Sequence, residues 1–139
     1  MFYCNTSVVL LAQQVLEEYR NAFRRGDLNA LMNCFGFPLQ VASVTGDEVS
    51  VTVAGSEDWP GVLQGVLDLY RRLEVAEAVM LAVEISQPLD PVAIIRVHWQ
   101  LERVDGTSVY DFTAVYTLAQ VAGSLKIIAI AHDERSRMP

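Results

Sequence analysis

The sequence predicts an α+β domain: three helices packed on a curved, mainly antiparallel sheet, in the order helix, helix, strand, strand, helix and then four strands. Three observations lead there. Apolar residues recur at spacings of three and four over the first quarter of the chain and again between Trp59 and Leu73, as a helix with one buried stripe requires. From Val75 onward the period changes to two and stays there. The 139 residues are 52% hydrophobic and 19% charged, which excludes disorder and fits one domain spanning 1–139.

Each element has its own signals. Val8, Leu11, Ala12, Val15, Leu16, Tyr19 and Phe23 form the first apolar stripe, with Ser7 as its expected cap and Gly26 as its stop. Asp27 then caps a second helix carrying Leu28, Leu31, Met32 and Phe35, and Pro38 ends helical territory. Leu39 to Val44 and Glu48 to Val53 read as a hairpin around Thr45-Gly46-Asp47. Gly55 to Asp58 supply turn and cap chemistry, and Pro60 suits the first turn of the third helix. Four strands follow, at about Ala76 to Gln87, Val92 to Val104, Thr107 to Val121 and Leu125 to Asp133, with Asp105-Gly106 as a hairpin signal.

Composition also excludes partners. The net charge is -7, and the ten basic residues are scattered, so neither a nucleic acid nor an anionic membrane is an expected partner. No apolar run approaches the ~18 residues of a membrane span. Cys4 and Cys34 form no disulfide framework and have no CxxC spacing, so both are expected as thiols of a cytoplasmic protein, of bacterial type. The start, MFYCNTSVVLLA, has no basic residue before its apolar stretch and does not read as a signal peptide, which leaves the Asn5 glycosylation acceptor without meaning. No metal or cofactor is expected: two histidines at wide spacing, without HxH or a cysteine cluster, make no ligand set, and Cys34 beside Phe35 reads as a small buried hydrophobe.

The element order, the length and the stretch Glu18-Tyr19-Arg20-Asn21-Ala22-Phe23-Arg24-Arg25-Gly26-Asp27-Leu28-Asn29-Ala30-Leu31 resemble the nuclear transport factor 2-like superfamily, the cone-shaped, cystatin-like fold of ketosteroid isomerase and polyketide-cyclase-like proteins. That resemblance covers the whole chain. It implies a cavity between helices and sheet but no single activity, because the superfamily hosts many chemistries. Ketosteroid isomerase uses a carboxylate base with a Tyr and a protonated Asp. Tyr19 matches the Tyr position, whereas the base position falls near Ser43 and the Asp position near Val115, whose side chains cannot do those jobs.

Alternation on the fourth strand separates Ala93, Ile95, Val97, Trp99 and Leu101 from Arg96, His98, Gln100 and Glu102. In an open sheet the polar row ordinarily faces water. Aligned on Asp105-Gly106, however, the resemblance implies that His98 and Gln100 point into the cone and that the Trp99 face packs outward against a second copy, since homodimers of the superfamily commonly pair there. The same alignment turns the Asp111, Thr113 and His132 rows inward. The expected ligand-binding residues are therefore Tyr19, Trp59, Arg96, His98, Gln100, Thr113 and His132, and the catalytic candidates are Tyr19, His98, Asp111 and His132.

Two main readings follow. One is a homodimer whose cone binds a small hydrophobic or amphiphilic molecule. The other is an isomerase, lyase or hydrolase working by acid/base catalysis, which requires Tyr19, His98, Asp111 and His132 to converge within about 3 Å of one ligand atom and fails if His98 faces solvent. A non-enzymatic interaction module is the third.

Overall fold

A computed structural model describes residues 2–138, with side chains from residue 8 onward, so the expectations for the Cys4 thiol and the Asn5 acceptor lie outside the described side chains. Helix α1 spans Phe2–Arg25, which places Ser7 within the helix and not at its cap. Its buried line runs Val8, Ala12, Leu16 and Ala22, with Tyr19 and Phe23 packed alongside, while Leu11 turns partly to solvent. Gly26 ends it at φ +65, and the Asp27 N–H closes back on the Ala22 carbonyl at 2.9 Å. Asp27 Oδ1 then accepts the Ala30 N–H at 3.1 Å and starts helix α2, Leu28–Met32. The expected Gly-Asp corner is there.

Helix α2 is shorter than expected. Phe35 belongs to strand β1, Phe35–Thr45, and Pro38 sits inside that strand where its pairing is irregular, a place proline tolerates because no ladder donor is needed. Strand β2 covers Glu48–Ala54 and helix α3 Trp59–Arg72. The remaining strands are β3 Glu77–Leu89, β4 Val92–Glu102, β5 Ser108–Val121 and β6 Ser124–His132, followed by a short helix α4, Glu134–Arg137, which the sequence reading did not contain.

One six-stranded sheet has the order β2-β1-β6-β5-β4-β3, antiparallel except for the β1–β6 pair. The expected α+β cone of helices on a curved sheet is thus present. Its inner face is the large apolar one, and this corrects the strand orientation implied by the resemblance. Ala93, Ile95, Val97, Trp99 and Leu101 are all buried, Trp99 to 3%, as are Tyr110, Phe112, Ala114, Tyr116 and Leu118 of β5. The side chains of Arg96, His98, Gln100, Asp111 and Thr113 share the opposite face. The helices need an apolar surface to pack on, so the rows with the largest hydrocarbon area are drawn inward.

Strand β6 departs from simple alternation. Thr117 pairs with Ala129 and Leu118 with Ile127, leaving Ile128 as an extra residue. Before this bulge Leu125 and Ile127 face the core; after it Ile130 and His132 do. The inserted residue shifts the parity, so His132 reaches the cone while Asp111 and Thr113 of the neighbouring strand do not.

Candidate functional site

A cavity of about 130 Å³ lies between α1, α3 and the inner sheet face. Aromatic side chains from both helices and the sheet contribute to its wall: Tyr19 and Phe23 from α1, Trp59 and Tyr70 from α3, and Trp99, Phe112 and Tyr116 from the sheet. The rings meet at steep angles. Tyr19 packs edge-on against Phe23 at 5.0 Å and Tyr116 at 5.4 Å, and Trp59 packs edge-on against Phe35 at 5.4 Å. Trp99 Nε1 donates to the Tyr116 hydroxyl at 2.9 Å, which holds the indole in place.

The polar part of the wall centres on Glu134, the first residue of α4. Its Oε2 accepts from the Tyr70 hydroxyl at 2.5 Å and from the Tyr110 hydroxyl at 2.8 Å. Oε1 has no partner among the described residues. Burial raises the Glu134 pKa against the opposing pull of the two phenols. Burial likewise pushes Tyr19, Tyr70, Tyr110 and Tyr116 up, so these rings stay neutral. His132 moves the other way: burial, then Arg135, lower its pKa and favour the neutral imidazole. The Glu134 N–H donates to His132 Nδ1 at 3.2 Å, so the neutral ring carries its proton on Nε2.

Strand register places Ser43 beside His132 on the inner face, with Ala114 on the other side. Ser43 Oγ and Trp59 Nε1 are buried without a partner among the described residues. At the rim, Arg24 meets Glu77 at 3.3 Å and Arg20 meets Glu17 at 3.6 Å.

Of the residues singled out from sequence, Tyr19, Trp59 and His132 line the cavity. Arg96, His98, Gln100, Asp111 and Thr113 do not. His98 Nε2 lies 2.7 Å from Asp111 Oδ2 on the outer face, where the His98 side chain is 40% exposed, and Arg137 approaches Asp111 Oδ1 at 3.3 Å. The hydrogen bond with His98, helped by Arg137, holds the Asp111 pKa low. Arg96 is spent on Glu84 at 2.7 Å and Gln100 on Glu102 at 2.6 Å. Trp99, expected in an outer interface, instead walls the cavity.

The expected convergence of Tyr19, His98, Asp111 and His132 is therefore absent, since two of the four lie across the sheet. Val115 also faces outward, in register with Ala131, whereas Ser43 faces in. Cys34 is a buried thiol just before β1, and burial pushes its pKa up to about 11, which favours the neutral thiol. Glu134, Tyr70 and Tyr110 were missed. They are separated by 64 and 24 residues along the chain, so no local spacing could announce them.

The fold and the aromatic-lined cavity define a cone-shaped α+β protein. By its residues 10–135 the chain belongs to the family described as NTF2-like protein (DUF6841). Among solved structures it is similar to an NTF2-like protein with a cystatin-like fold from Novosphingobium aromaticivorans, at 14% identity and TM-score 0.72, covering 92% of this chain and 82% of that one. It is similar to an NTF2-like protein of unknown function from Shewanella oneidensis, at 18% identity and TM-score 0.65, covering 92% and 98%. A ketosteroid isomerase-like protein from Erwinia carotovora atroseptica matches at 15% identity and TM-score 0.66, covering 94% and 95%. At such identities the likeness concerns the fold. No curated protein matches the sequence. Among the described residues no helix is long and apolar enough to cross a membrane.

Proposed function

We propose that the cone binds a small, mainly apolar molecule carrying one polar group. The observation that carries this reading is the aromatic-lined cavity of about 130 Å³ with Glu134 and His132 in its wall. Cavities of about 150 Å³ accept benzene, so the ligand is of monocyclic size. The test is thermal denaturation with phenol, indole and charged and neutral cyclohexane derivatives. A melting temperature that rises with ligand concentration is expected for at least one of them, and Val66→Phe, which fills the cavity from α3, is expected to abolish the rise. No rise with any compound would end the reading.

The acid/base alternative loses His98 and Asp111, its outward-facing candidate bases, and the ketosteroid isomerase-like structure at 15% identity is too distant to restore it. A homodimer through the outer sheet face keeps its support with different residues. Register aligns Val51, Ala42, Ala131 and Val115 in one outward row, and Val49, Val51 and Val53 are exposed. Sedimentation of the wild type as a dimer and of Val51→Lys as a monomer is expected; a monomeric wild type overturns the pairing.

A further inference from the structure

Resting on the binding reading above, we propose that the ligand is a small organic ammonium whose cation sits on Glu134 and whose hydrocarbon part fills the aromatic wall. Glu134 is a half-buried carboxyl in the cavity wall, without a cationic partner among the described residues. Both of its donors are neutral phenols, both bond the same oxygen, and no salt bridge reaches it among the described residues. A carboxylate drawn partly out of water is stabilised by a neighbouring cation, and Oε1 is left for that cation to use.

The surroundings select the same charge. Aromatic rings attract cations through their faces, and Tyr19, Phe23, Trp59, Tyr70 and Tyr116 line the same cavity as the carboxyl. The basic residues of the rim, Arg20 and Arg24, are each matched by an acid. His132 is held neutral and does not repel a cation. An anionic ligand would meet Glu134 with like charge, and a neutral alcohol would leave the carboxylate without a counter-ion. The net charge of -7 favours the approach of a cation as well.

The experiment compares cyclohexylamine, cyclohexanol and cyclohexanecarboxylate, which share a ring and differ in charge, by calorimetric titration at pH 7.5. The amine is expected to bind about tenfold or more tightly than the alcohol, with the carboxylate weakest. In Glu134→Gln the amine is expected to fall to the level of the alcohol while the alcohol is unchanged. Tyr110→Phe keeps its ring and removes one donor to Oε2, so there the amine's advantage is expected to persist or grow; this variant and the wild type decide the matter if Glu134→Gln does not fold. An alcohol that binds as tightly as the amine overturns the charge selection and leaves the cavity reading standing. Failure of all three, together with the neutral panel, overturns both.

Discussion

Two carboxyl groups near the same end of β5 and β6, Glu134 inside and Asp111 outside, each hold two donors and respond in opposite directions. Asp111 meets His98 and Arg137 in solvent, and its pKa falls. Glu134 meets two neutral phenols inside the cone, and its pKa rises because burial outweighs their hydrogen bonds. The number of donors is equal; the dielectric and the presence of a cation decide the sign. A clustered His and Asp would draw attention as catalytic machinery in a sequence, yet the carboxyl in the cavity wall is the one with no histidine side chain on it.

The largest test of this inside–outside contrast is Trp99→Ala. Removing a 3% exposed indole that also bonds Tyr116 is expected to cost about 3–5 kcal/mol, measured by urea denaturation. A loss below about 1 kcal/mol would contradict its placement in the cavity wall.

Next in size is the pH dependence. The folded pKa of His132 lies below its reference of 6.5, so the unfolded chain takes up the proton first, and stability falls as pH drops from 6.5 toward the folded value. Glu134 works in the reverse sense. With its pKa above the reference of 4.5, the folded state binds the proton first, and stability falls as pH rises from 4.5 through its folded value. His132→Gln is expected to flatten the loss of melting temperature on acidification below pH 6.5; an unchanged slope would show that His132 is not held neutral. The smallest effect is expected from His98→Ala, one residue away in β4. Its half-exposed hydrogen bond with Asp111 should be worth less than about 1 kcal/mol in the same urea measurement.

Much of the architecture is legible because its causes are local. The stop of α1 at Gly26, the cap at Asp27 and the strand periods between Glu77 and His132 depend on residues a few positions apart. The site is less legible. Tyr19, Trp59 and His132 carry recognisable signals, but Tyr70 and Tyr110 become partners of Glu134 only because α3, β5 and α4 converge. The inversion of β4 shows that a plain amphipathic rule, apolar row inward, was better than alignment to distant relatives at this strand.

The sequence by itself determined the element order, the helix-to-helix corner and the division of β4 and β5 into an apolar and a polar row, because capping and side-chain period act over neighbouring residues. Tertiary structure alone decided which row faces the helices, where β6 changes parity and which carboxyl lies in the cavity wall. An alternating strand specifies two faces, whereas the helices packed on it, together with the extra residue Ile128, determine which face encloses the cone.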